Sequence, residues 1–172
     1  MSSANKNLSV TEGSKVPDAK KFKFGIVYAE WNLEITGALK EGALNTLLAN
    51  GALKENIIIK EVPGSFELTL GAQYLAEYAE VDAIICLGCV IQGETRHFDF
   101  ICDAVAKGIT DLNIKYNKPF IFGVLTPDNQ QQAADRAGGK HGNKGDEAAV
   151  TAIKMLALKA GFKTERHVGF SK

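Results

Sequence analysis

Gly88-Cys89-Val90-Ile91-Gln92-Gly93-Glu94-Thr95-Arg96-His97-Phe98-Asp99-Phe100 closes an apolar run that begins at Asp82 and leads through a glycine-containing turn into a patterned segment starting at His97. This order of residues specifies a strand feeding a helix. In a parallel sheet the carboxyl ends of the strands line a crevice, and the turn into the next helix presents backbone N–H groups there. Those donors, together with the positive end of the helix dipole, suit an anion such as phosphate. His97 falls at the opening of that helix, and histidine is the side chain best suited to proton transfer near neutral pH. On these residues alone two readings stand. Either His97 serves a bound substrate, or it is a solvated first-turn residue and Gly93 merely turns the chain.

Outward from this stretch the chain keeps a regular beat. Phe22 to Tyr28 is β-branched and aromatic over a strand's length, and Leu33 to Ala49 places Leu33, Gly37, Leu44 and Leu48 at helical spacing, with Gly51 closing the helix. Asn56 to Val62 predicts a second strand, broken by Pro63-Gly64, with Ser65 placed to cap a helix from Phe66 to Tyr78. The third strand covers Ala83 to Val90, and the helix after it carries Phe98, Ile101, Val105, Ile109 and Leu112 as an apolar stripe. Pro119 to Leu125 predicts the fourth strand. A short polar helix over Asp128 to Ala137 and a long one over Asp146 to Ala160 follow it. Strands alternating with helices over short connections imply an α/β protein, a three-layer αβα sandwich with a four-stranded parallel sheet. The run Gly138-Gly139-Lys140-His141-Gly142-Asn143-Lys144-Gly145 lies between two helices rather than after a strand, so it is neither a Walker loop nor a dinucleotide fingerprint.

Composition bounds the function. The chain has 172 residues, 45% hydrophobic and 23% charged, which is enough apolar material for one core and too little chain for a second full domain. Twenty basic residues balance twenty acidic ones, which argues against nucleic acid or an anionic membrane as the main partner, so any anion is met locally. Residues 1–20 are rich in Ser, Asn and Lys, without the apolar run of a signal peptide or anchor. A flexible N-terminal arm, a single domain over residues 21–172 and a cytoplasmic location are expected. The odd set Cys86, Cys89 and Cys102 fits a reducing compartment. Cys86 and Cys89, three apart on a strand, point to opposite faces and cannot hold one metal ion.

The strand exits gather Glu30-Trp31-Asn32, then Pro63 to Glu67, then Cys89 to His97, then Phe122 to Pro127. Aromatic faces, backbone donors, a carboxylate and a histidine suit a flat, polar heterocycle. Taken singly, Trp31 and Phe122 read as core aromatics at strand ends, with Trp31 the better ligand candidate because an indole buried where the strand ends would need a partner for its N–H.

Five blocks carry a resemblance when taken together. They are Phe24-Gly-Ile-Val-x-Ala-x-Trp31-Asn32, Val62-Pro-Gly-Ser65-Phe-Glu67-Leu, Gly88-x-Val-Ile-x-Gly-x-Thr-x-His97-Phe-Asp99, Pro119-x-x-Phe122-Gly-Val-Leu-Thr126 and Arg136-Ala-Gly-Gly-x-x-Gly-Asn-Lys144-Gly. In this order, from about Phe22 to Gly161, the chain resembles the lumazine synthases. The resemblance implies a flavodoxin-like fold and the condensation of 5-amino-6-(D-ribitylamino)uracil with 3,4-dihydroxy-2-butanone 4-phosphate in riboflavin biosynthesis, without metal or cofactor. It further implies that Trp31 stacks on the pyrimidine, that Ser65 and Phe66 give backbone contacts, and that Glu67 takes ribityl hydroxyls. Cys89, Val90 and Ile91 would supply main-chain groups, and Glu94 and Thr95 backbone donors to the phosphate. Arg136 would be the matching guanidinium, Phe122 and Lys144 would complete the pocket, and His97 would transfer protons. In such proteins the pocket forms between subunits of a pentamer, so Phe122, Arg136 and Lys144 would serve a neighbour's site. A compact Gly-rich link at 138–145 resembles that of members whose pentamers close into a sixty-chain shell, with riboflavin synthase as a further partner. Two positions depart from the common pattern: the stacking residue is Trp31, and Arg96 is a bulky cation expected to point to solvent. Competing readings are a non-catalytic flavin or nucleotide binder of the same fold, an inactive shell protein, and the related pentameric riboflavin synthases.

Overall fold

Among the segments rich in β-branched and aromatic residues, four pair into one parallel sheet in a computed structural model that describes residues 16–165. In chain order the elements are β1 (Phe24–Ala29), α1 (Leu33–Ala49), β2 (Ile57–Val62), α2 (Leu68–Tyr78), β3 (Ala83–Cys89), α3 (His97–Tyr116) and β4 (Phe120–Leu125). They are followed by α4 (Gln130–Asp135), β5 (Ala137–Gly139), β6 (Gly142–Asn143) and α5 (Lys144–Glu165). The sheet order is β2-β1-β3-β4. Most of the expected N-terminal arm, residues 1–15, lies outside the described residues. Of the last five residues of that expected arm, Val16 and Ala19 pack on the body: Ala19 is fully buried, and its N–H donates to the Asn50 carbonyl at 2.9 Å.

Side chains alternate across a strand, so each strand feeds two cores. Phe24, Ile26, Ile85, Leu87, Cys89, Ile121 and Leu125 face one core with the inner residues of α1 and α5. Val27, Ile84, Cys86, Phe120 and Val124 face the other, with those of α2 and α3. Every residue of β3 is buried, as a central parallel strand covered on both faces requires. Cys86 and Cys89 thus belong to opposite cores, as their spacing predicts.

Three expectations need correction. The buried stripe of α1 is Ile35, Leu39, Ala43 and Leu47, whereas Leu33 and Leu48 are exposed. Both sets obey helical spacing, and the choice between them comes from the simultaneous fit of α1 against the sheet and α5. Ser65 does not cap α2, which begins later than expected, at Leu68. Instead Gly64 to Leu68 form a tight turn, with Glu67 N–H on the Gly64 carbonyl and Leu68 N–H on the Ser65 carbonyl, both at 3.2 Å. The third correction concerns the Gly-rich run, which is an antiparallel hairpin of β5 and β6 rather than a plain link. Gly138 (φ 107°) and Gly142 (φ 77°) supply the left-handed backbone it needs.

The hairpin is keyed onto α1. Asn143 Nδ2 donates to the Ala38 carbonyl at 2.9 Å, and Asn143 Oδ1 accepts from Gly145 N–H at 2.7 Å. This brings Gly145 so close to α1 that a Cβ there would lie 1.9 Å from the Leu39 carbonyl oxygen. Gly161, further along α5, has nothing within 4 Å of a Cβ. Gly145→Ala is therefore expected to destabilise the fold by more than about 2 kcal/mol through forced displacement of backbone. Gly161→Ala is expected to stabilise by about 0.5–1 kcal/mol, as Ala replaces Gly in a helix interior. Denaturant melts of the two variants check both signs.

Candidate active site

The order β2-β1-β3-β4 reverses direction at β1, and the connections leave on opposite faces of the sheet: α1 on one side, α2 and α3 on the other. A crevice opens at the carboxyl ends where such a reversal occurs. Here it is a cavity of about 730 Å³ lined by Trp31, Asn32, Gly64, Ser65, Phe66, Glu67, Cys89, Val90, Ile91, His97 and Ile101. Its size suits a drug-sized heterocycle.

The backbone around it is part paired and part open. Glu30 N–H and Trp31 N–H donate to the Val62 and Pro63 carbonyls at 2.8 and 3.1 Å. On the other side Val90 N–H and Gln92 N–H donate to the Leu125 and Pro127 carbonyls at 2.9 and 3.0 Å. Among the described residues, the backbone N–H groups of Ser65, Phe66, Ile91, Glu94 and Thr95 find no protein acceptor. These are donors that a ligand or water must satisfy.

Trp31 is 73% exposed, so it is not a core aromatic, and Phe66 is also exposed. Gly64 lies between Trp31 and Glu67: a Cβ there would meet Trp31 Cδ1 at 3.6 Å, an ordinary contact, and the movable end of the Glu67 side chain, Oε2, at 3.0 Å. The Ser65 hydroxyl, by contrast, is buried without a hydrogen-bond partner beneath the pocket. Cys89 presents little to a ligand, since its carbonyl already accepts from Asn32 Nδ2 at 3.0 Å. His97 opens α3 at the pocket edge, with its N–H directed to Thr95 Oγ1 at 3.4 Å. Glu94 and Thr95 are exposed just outside the lining. Arg96 also faces solvent, 3.8 Å from Asp99 and over the Phe100 ring.

The remaining residues singled out from sequence do not reach this cavity within the chain. Phe122 sits three residues before the end of the edge strand β4, on the α2/α3 face and paired in register with Cys86. Arg136 follows α4, donating to Glu147 Oε1 at 2.7 Å and to the His141 carbonyl at 2.5 Å. Lys144 bonds the other Glu147 oxygen at 3.1 Å. A single buried carboxylate thus gathers two cations. The sequence reading assigned no role to Glu147 or Asn32. The first was legible as the i,i+3 partner of Lys144; the second carried no signal, because its partner is far away in sequence.

A doubly wound parallel sheet with this cavity at its reversal point, aromatic faces at the rim and a histidine at the edge defines an α/β enzyme acting on a small molecule. The family model described as 6,7-dimethyl-8-ribityllumazine synthase matches residues 21–160. A protein of that name from Cytophaga hutchinsonii is 68% identical over 157 residues, covering 91% of this chain and 98% of its own. Its namesake from Parabacteroides distasonis is 59% identical over 160 residues, covering 93% and 100%. The one from Porphyromonas gingivalis is 54% identical over 158 residues, covering 92% and 98%. The chain belongs to the 6,7-dimethyl-8-ribityllumazine synthase family.

The three free thiols differ in burial, with Cys86 and Cys89 buried and Cys102 partly exposed. Burial pushes Cys86 up to about 12 and Cys89 up to about 11 from an ordinary 9.0. At pH 8 a thiol-reactive disulfide is expected to label at most one of the three free cysteines, Cys102 on α3, until the chain is unfolded. Both folded pKa values are raised, so between pH 9.0 and about 11 the unfolded chain deprotonates while the folded one does not. Stability is accordingly full below pH 9.0 and falls as pH rises through that window, which denaturant melts at stepped pH will read.

Proposed function

We propose that the strand-end cavity is where this chain condenses 5-amino-6-(D-ribitylamino)uracil with 3,4-dihydroxy-2-butanone 4-phosphate, giving 6,7-dimethyl-8-ribityllumazine with release of phosphate and water. The observation that carries the reading is the meeting, at one reversal point, of an exposed Trp31 face, open N–H groups at Ser65, Phe66 and Ile91, and His97. Trp31 stacks on the pyrimidine, and the open donors hold its polar edge. Glu67, folded back over Gly64, accepts from ribityl hydroxyls. Cys89 and Val90 form the floor, and the N–H groups of Glu94 and Thr95 before α3 bind the phosphate.

The reaction joins an amine to a ketone, eliminates phosphate and closes a ring, so it requires orientation and proton transfer. Orientation of two reactants is worth roughly 7–11 kcal/mol in well-aligned cases. One histidine at the reacting edge adds proton transfer worth about 10²–10⁴-fold. Arg136, Lys144 and Phe122, which lie away from the cavity in their own chain, complete the site of a neighbouring copy in a ring of five. The exposed Phe66 in the turn before α2 and Leu70, Tyr74 and Tyr78 along it, with Phe100 on α3 and Phe122 on β4, support such coverage. The compact hairpin at 137–143 favours further closure of pentamers into a sixty-chain shell, able to associate with riboflavin synthase. The cytoplasm is the expected location, and no helix among the described residues is long and apolar enough to cross a membrane.

Mixing the two substrates with the protein and following lumazine fluorescence tests the reading; binding of a yellow chromophore without turnover would overturn it. His97→Ala is expected to lower kcat by about 10–10²-fold with KM values within several-fold, since proton transfer is lost and positioning kept. Arg136→Ala is expected to raise KM for the butanone phosphate about 10–10²-fold, as befits a lost charge-assisted hydrogen bond, and KM for the pyrimidine far less. Sedimentation velocity reads the assembly, from five chains of 18.5 kDa to sixty; an active monomer would overturn the shared site.

A further inference from the structure

Asn32 occupies the residue before α1, where an asparagine ordinarily folds its side-chain carbonyl onto the first helical N–H groups from an extended backbone. It does neither. The backbone stands at φ 61°, ψ 44°, in the left-handed region, and the side chain makes no capping bond. Its carbonyl starts the helix instead, accepting from Ile35 N–H at 2.8 Å and Thr36 N–H at 3.0 Å. The amide is thereby left for another task, donating to the Cys89 carbonyl at 3.0 Å across 57 residues of chain. The other non-glycine residue of positive φ among those described is Asn117, after the end of α3, where a left-handed residue is an ordinary helix stop. Asn32 is left-handed at a helix start, and asparagine is one of the few side-chain-bearing residues that adopts this region readily.

The bond spans the point where the sheet parts. The β1–β3 register ends at Tyr28 opposite Leu87, whereas β1–β2 and β3–β4 run on to Ala29–Val62 and Cys89–Leu125. Past Leu87, the Asn32 amide takes the place of the missing ladder. Trp31, immediately before it, is tied on its other side by its own N–H to the Pro63 carbonyl at 3.1 Å. The indole itself is largely exposed, so the backbone on either side must set its pose.

We infer that Asn32 is a positioning residue: its left-handed backbone and its bond to Cys89 hold Trp31 at the angle from which the indole meets the planar heterocycle. This rests on the stacking role proposed for Trp31. Selectivity for a flat ring over a puckered one would then depend on a residue whose amide is committed to the protein.

Trp31 is the one tryptophan of the chain, so intrinsic fluorescence reports its motion directly. Asn32→Gly keeps the backbone region and loses the amide, Asn32→Asp replaces the donor by an acceptor facing the Cys89 carbonyl, and Asn32→Ala loses both features. In ligand-free protein all three are expected to lower the fluorescence anisotropy of Trp31, Ala most. In turnover, Asn32→Gly is expected to raise KM for the aminouracil about tenfold, the worth of one lost hydrogen bond, with KM for the butanone phosphate within about twofold. Native anisotropy in Asn32→Gly with unchanged secondary structure and assembly would overturn the inference, as would an equal rise in both KM values. Lowered anisotropy with an unchanged pyrimidine KM upholds the positioning role and overturns instead the stacking assigned to Trp31.

Discussion

The site exists because two neighbouring strands send their chains to opposite faces of one sheet. Between β1 and β3 no helix can fill the space above the strand ends, and the ladder stops at Tyr28 and Leu87 while the outer pairs continue. Backbone groups there still need partners. On the β2 side they come from Val62 and Pro63, on the β4 side from Leu125 and Pro127, and across the gap from the Asn32 amide. The open donors at Ser65, Phe66 and Ile91 are what this arrangement leaves to a ligand.

Around that gap the side chains divide the chemistry by their elements. Rigid strand ends carry the groups proposed to hold a ring: Trp31 beside the glycine at 64, and the backbone at Ile91. The start of α3 carries His97 with amides suited to an anion. The cations Arg136 and Lys144 stand on the hairpin and α5, where Glu147 neutralises and orders both. In the proposed ring, a guanidinium already fixed by a carboxylate loses little freedom when a neighbour's phosphate arrives, which is how preorganisation raises affinity. The same logic joins assembly to function. Exposed aromatic residues on α2, α3 and β4 make a lone subunit costly in water, and covering them in the proposed ring would bring a neighbour's cations to the cavity.

The sequence determined the αβα alternation and the strand positions to within a residue or two. Each strand is a short apolar run, and the helices between them obey a 3.6-residue period. It also placed Trp31, Ser65 to Glu67, Cys89 to Ile91 and His97 at the strand exits, because those residues follow strand ends directly and local order is enough. The opposite facing of Cys86 and Cys89 followed from strand alternation alone. What only the tertiary structure decided depends on partners remote in sequence. Two helical faces of α1 fit the same spacing, and contact with the sheet and α5 chose Ile35, Leu39, Ala43 and Leu47. Ser65 carries a capping side chain, yet the turn from Gly64 to Leu68 buried its hydroxyl. The glycines at 138–145 allow many turns, and the docking of Asn143 on Ala38 selected a hairpin. Asn32 is given no role by the sequence, and its amide reaches Cys89 because folding brings two strand ends together that sequence keeps 57 residues apart. Local periodicity is set by backbone geometry and can be read from neighbours, whereas the use of a polar side chain is set by whichever unpaired group the fold places opposite it.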